Sequence, residues 1–96
     1  MNRPCVYIIT DKTNANLYIS VTDDLARQIF KHKCKLVEGV PNTLQLDKLV
    51  WYQHACDMSV AMQVERRIQA GSQESKIKLI RKMNPQWRDL YGDILE

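Results

Sequence analysis

Apolar and polar positions divide the chain into short segments of differing period. Cys5-Val6-Tyr7-Ile8-Ile9-Thr10 is rich in β-branched and aromatic residues and predicts a strand. The polar stretch Asp11-Lys12-Thr13-Asn14-Ala15-Asn16 predicts a turn, and Leu17-Tyr18-Ile19-Ser20-Val21 a second short strand. Together they form a hairpin. Pairing Ile8 with Leu17 sets Tyr7 opposite Tyr18, and directly opposed residues share a face of the sheet. Two tyrosines then occupy one surface.

Thr22 is the expected N-cap of a first helix, with Asp23 and Asp24 in its first turn and an end near Lys33. Leu25 and Ile29 supply its inner face, and Gln28 and His32 form a second pair, also four apart, on an adjacent face. Residues 35–47 read as irregular, punctuated by Gly39, Pro41 and Asn42. The dense apolar run Leu49-Val50-Trp51-Tyr52 predicts a buried strand. Asp57 or Ser59 starts a second helix with an apolar stripe of Val60, Ala61, Val64 and Ile68. Gly71 fits its stop, and Ser72 caps a third helix lined by Ile77, Ile80 and Met83. Asn84-Pro85 predicts the cap and first position of a last short helix. Trp87, Leu90 and Tyr91 recur at three- and four-residue steps, which folds that tail onto the core. The order is β-β-α-β-α-α plus a short C-terminal helix. Because the first two strands form a hairpin, the three-stranded sheet is at least partly antiparallel, and the class is α+β.

Composition narrows the picture without redirecting it. A chain of 96 residues suits a single domain over 1–96. No apolar run is long enough to cross a bilayer. The start, Met1-Asn2-Arg3-Pro4, lacks the apolar stretch of a signal peptide, so a cytoplasmic location is expected. Fourteen basic against eleven acidic residues leave a formal charge of +3, which permits nucleic-acid binding without arguing for it. Cys5, Cys34 and Cys56 are odd in number and form no CxxC pair, so reduced thiols are expected. The His-x-Cys pattern occurs twice, at His32/Cys34 and His54/Cys56, but structural zinc sites usually show tighter knuckles.

Several segments together resemble a known family. Val6-Tyr7-Ile8 and Tyr18-Ile19-Ser20 stand where GIY-YIG nucleases carry the two motifs that name them. The resemblance continues through Val21-Thr22-Asp23-Asp24-Leu25, His32-Lys33, Leu49-Val50-Trp51-Tyr52 and Ala61 to Ile68 around Glu65. It runs on through Lys76-Ile77 and Leu79-Ile80 to Asn84-Pro85-Gln86-Trp87-Arg88-Asp89-Leu90-Tyr91. The chain is similar to small stand-alone bacterial proteins of this superfamily over nearly its whole length.

The resemblance implies a phosphodiesterase site acting on DNA. It makes Glu65 the ligand of Mg²⁺ or Mn²⁺ and Tyr7 and Tyr18 the motif pair that handles the attacking water. His32 becomes the residue four beyond a phosphate-neutralising arginine. A hard ion keeps most of its waters and needs few protein ligands, so one glutamate suffices in principle. The arginine position, ten beyond the second tyrosine, holds Gln28. Arg27 is adjacent, yet a helix turns about 100° per residue, so it points elsewhere. Arg27 and Lys76 are the candidate phosphate contacts that remain. Other departures run the same way: Ser20 replaces the glycine of the second motif, Val64 precedes the glutamate, and Gly71-Ser72-Gln73-Glu74 and Pro41-Asn42-Thr43-Leu44 lack the basic and aromatic residues of relatives. Two functions follow from this pattern. One is a metal-dependent endonuclease weakened at position 28, binding DNA weakly. The other is an inactive module binding nucleic acid or protein on the same scaffold.

Overall fold

The computed structural model describes residues 3–37 and 45–95. The elements are β1 (Cys5–Thr10), β2 (Leu17–Thr22), α1 (Leu25–Lys33), β3 (Lys48–His54), α2 (Met58–Ala70), α3 (Gln73–Met83) and α4 (Tyr91–Ile94). The predicted order holds. The punctuation expected at Gly39, Pro41 and Asn42, and the residues Met1 and Asn2, lie outside the described residues.

β1 is the central strand of a three-stranded sheet in the order β2-β1-β3, antiparallel to both neighbours. All six of its residues are buried, so it carries apolar side chains on both faces. Cys5, Tyr7 and Ile9 face one layer with Leu25, Ile29, Leu46, Leu49 and Leu90. Val6 and Ile8 face the other, with Ile19, Val50, Trp51, Ala61 and Ile80. The first layer is roofed by α1 and α4, the second by α2 and α3.

β3 shows why its apolar run does not alternate. Ile8 pairs with Trp51 but Ile9 pairs with Leu49, which leaves Val50 as an extra residue in a bulge. The bulge turns Val50 and Trp51 to the same layer, while Leu49 and Tyr52 face the other. The backbone groups it disturbs are taken up by the segment after α3. The amide Nδ2 of Asn84 donates to the Val50 carbonyl at 3.2 Å, the Asp89 carboxylate accepts from the Leu49 N–H at 3.2 Å, and the Leu90 N–H donates to the Leu49 carbonyl at 2.8 Å.

Four details differ from the sequence expectations. The hairpin register is shifted by two residues: Tyr7 stands opposite Ser20, and Tyr18 opposite Ile9. A shift of two preserves the side-chain parity, so both tyrosines still share a face. The cap of α1 is Asp24, whose carboxylate accepts from the Arg27 N–H, and Thr22 instead ends β2. Asn84 caps the end of α3 and starts no helix; α4 begins only at Tyr91. Met83 is exposed, and the α3 residues packed in the core are the buried Ile80 and the half-buried Leu79 in place of the expected Ile77 and Met83. Asp57 and Ser72 cap α2 and α3 as expected. Gly71 ends α2 in an extended conformation with a φ of −77°, its N–H donating to the Ile68 carbonyl at 3.1 Å.

Candidate active site

α1 delivers two polar residues onto the tyrosine-bearing face of the sheet. Its apolar positions Leu25 and Ile29 lock it against Tyr7 and Ile9, and this sets Gln28 and His32, on the adjacent stripe, toward β1 and β2. The Tyr7 hydroxyl and His32 Nε2 form a hydrogen bond of 2.9 Å. The His32 ring also lies edge-on to both tyrosines, with centroids 5.7 Å from Tyr7 and 5.6 Å from Tyr18. The side chains of Gln28 and Ser20 face the same Tyr7 hydroxyl and pull its pKa down.

Burial divides this cluster into a floor and a mouth. Tyr7 is fully buried and His32 nearly so, whereas Tyr18, Ser20 and Gln28 are half-buried. Burial is the largest influence on the phenol of Tyr7 and pushes its pKa up to about 12; the neighbouring Tyr18 adds to the rise. Burial likewise lowers the pKa of His32. With the imidazole neutral and its proton on Nδ1, Nε2 accepts and the phenol donates. The floor is therefore an uncharged hydrogen-bonded pair, and the groups able to meet a solute are Tyr18, Ser20 and Gln28.

Glu65, Lys76 and Arg27 make none of the contacts just described. Glu65 lies half-buried on α2, whose apolar residues Ala61, Val64 and Ile68 pack with the second layer of the core. Among the described residues its carboxylate takes part in no ion pair. Lys76 lies half-buried on α3, whose Leu79 and Ile80 pack with that same layer. Arg27 is exposed beside Gln28. The contacts that gather Tyr7, Tyr18, Gln28 and His32 thus include neither Glu65 nor Lys76.

One participant was visible only in the fold. Ser20 stands where the second motif of the family has glycine, and its register opposite Tyr7 makes its hydroxyl part of the cluster. The second His-x-Cys pair has its own setting: His54 stands edge-on to Tyr52 at 5.9 Å. All three cysteines are free thiols, Cys5 buried and Cys34 and Cys56 exposed. Among the described residues no three or more His, Cys, Asp or Glu side chains converge as a metal-binding group. No described helix is long and apolar enough to cross a membrane.

A model of the GIY-YIG catalytic domain matches residues 3–78. Searches of curated proteins and of solved structures found no match.

Proposed function

The chain belongs to the GIY-YIG family of nuclease-type catalytic domains, and from that premise we propose a slow, metal-dependent hydrolase of DNA phosphodiesters, its rate limited by a missing cation at position 28. The observation that carries this reading is the cluster itself: Tyr7, Tyr18 and His32 meet at the point that Gln28 also faces. Tyr18, half-exposed, is the hydroxyl available to orient an attacking water, and Tyr7 and His32 fix its ring from below. Gln28 and Ser20 offer hydrogen bonds to a phosphoryl oxygen but cannot neutralise it.

Glu65 fits the metal role by its donor chemistry. A half-exposed carboxylate that forms no ion pair among the described residues suits a Mg²⁺ or Mn²⁺ ion that keeps most of its waters. Such an ion would supply positive charge to the phosphoryl oxygens. The guanidinium that would share this task is absent, and in other phosphoryl-transfer enzymes an arginine contributes roughly 10³ to 10⁵ in rate.

The test is cleavage of supercoiled plasmid in Mg²⁺ or Mn²⁺ by wild type, Gln28→Arg, and Gln28→Arg combined with Glu65→Ala. Slow wild-type cleavage, a rise of at least about tenfold with the arginine, and its loss with Glu65→Ala support the proposal. Robust wild-type cleavage abolished by Glu65→Ala alone would mean that Gln28 is tolerated and the site is not degenerate. No cleavage by any folded variant favours the alternative, an inactive binding module. The commitment of the buried Tyr7 hydroxyl to His32 is the feature that speaks for that alternative.

A further inference from the structure

Each of the two α1 residues that face the tyrosines is preceded by a cation. Arg27 precedes Gln28, and Lys31 precedes His32. A step of one residue rotates about 100° around a helix, so both cations stand on the flank bordering the Gln28–His32 stripe. Arg27 is exposed and Lys31 half-exposed. Four residues separate them, a rise of about 6 Å. The next step of four reaches Lys35, just past the end of the helix and exposed.

Lys35 is held there at a cost. Its φ is 59°, in the left-handed region that favours glycine. Its N–H donates to the His32 carbonyl at 3.1 Å, and the Leu36 N–H donates to the Lys31 carbonyl at 2.9 Å. This is the hydrogen-bond pattern of a Schellman helix end, in which glycine is the usual residue at the position of Lys35. Lys33, on another side of the helix, is committed: it pairs with Asp89 at 2.6 Å and lies over the Tyr91 ring. Among the described residues Arg27, Lys31 and Lys35 form no ion pair, although Asp23 stands one turn before Arg27.

We propose that Arg27, Lys31 and Lys35 form a track for the phosphate backbone of DNA, running along α1 to the Tyr18–Ser20–Gln28 mouth. It rests on the DNA substrate of the proposed function but not on its catalysis. The charge that position 28 lacks is present one residue away, on the flank where it holds a strand and not the reacting phosphate. Cations near the C-terminus of a helix also favour its dipole, which is the purely structural account of Lys31 and Lys35. That account predicts no dependence of DNA binding on the three side chains.

The experiment measures binding in EDTA, so that no hydrolysis intrudes. A short fluorescein-labelled DNA duplex and its single strand are titrated with protein over a series of salt concentrations. Arg27→Gln, Lys31→Gln and Lys35→Gly each weaken binding, and each flattens the plot of log K against log salt by about 0.9 on duplex or about 0.7 on single strand. Lys78→Gln, on α3 and within the exposed pair Lys78–Glu74, leaves that slope unchanged. Lys35→Gly also raises the melting temperature while lowering affinity, a divergence that a merely structural lysine does not give. Slopes indifferent to all three substitutions overturn the track, as does equal sensitivity to Lys78→Gln or the lack of a wild-type complex at low salt. If the slopes respond as expected but no variant cleaves plasmid, the track stands and the hydrolase reading fails. If plasmid is cleaved through Glu65 while the slopes stay fixed, the reverse holds.

Discussion

The phenol of Tyr7 and the imidazole of His32 meet where solvent does not reach, and both are held in their neutral forms. That has opposite consequences at the two ends of the pH scale. An unfolded tyrosine ionises near 10.0, whereas Tyr7 in the fold keeps its proton to about 12. Between these values the unfolded state binds fewer protons, so stability falls as pH rises. The loss assignable to Tyr7 is about 2–3 kcal/mol. Tyr7→Phe removes it, so chemical denaturation across that alkaline range should show a shallower decline for the variant than for wild type. Equal declines would mean that the phenol is not buried as described. His32 acts at the acid end: its folded pKa lies below the ordinary 6.5, so protonation favours the unfolded chain as pH falls through that value. The gathering of these side chains was legible in the sequence; their function was not. Spacing alone sets Gln28 and His32 on one stripe of α1, and the shared face of Tyr7 and Tyr18 survives a register shift of two because side-chain parity has a period of two. Glu65 and Lys76 differ from these four in that their assignment rests on spacing along the chain alone, with no contact to the cluster among the described residues.

Among the elements, β3 shows where a sequence pattern fails and why. Leu49-Val50-Trp51-Tyr52 signals a buried strand correctly, yet an unbroken apolar run does not reveal the bulge that sends Val50 and Trp51 to one side. The tail departs from its sequence pattern for a related reason. Asn84-Pro85 has the chemistry of a helix start, but the Asn84 side chain is spent on β3 and on the turn after it. It donates to the Arg88 carbonyl at 2.8 Å as well as to Val50, and accepts from the Arg88 N–H at 3.0 Å. Asn84 is only 4% exposed, so water cannot replace those partners. Asn84→Ala should therefore cost about 2–4 kcal/mol, the sum of groups left unsatisfied. An unchanged urea midpoint would show that the bulge does not depend on it. Trp87→Ala should cost less, about 2 kcal/mol. The ring is only partly buried, and its backbone already sits at a φ of 55°, where a smaller residue gains little.

Across the whole molecule the tail joins the two layers of core that the sheet separates. Trp87 packs with the layer beneath α2 and α3, while Leu90, Tyr91 and Ile94 pack with the layer beneath α1. The segment between them passes the edge strand β3, donates to its Leu49 carbonyl and anchors to Lys33 through Asp89. One edge of the sheet is thereby covered, which blunts its tendency to pair with another chain. The family match ends at residue 78, so this clasp lies beyond the segment that defines the catalytic domain. A chain shortened after Met83 tests whether it is an accessory. Shortening exposes one side of Leu49, Tyr52 and Val50 and removes the buried Leu90, each large apolar side chain being worth about 1.5–3 kcal/mol. A domain of this size holds only about 5–15 kcal/mol in total. The expected result is a shortened protein that binds a hydrophobic dye and melts without a cooperative transition, while the full chain does neither. A shortened chain with the same midpoint and sharpness would make the tail dispensable. The Tyr7–His32 pair would then owe its burial to α1 alone, and its alkaline signature would persist without the clasp.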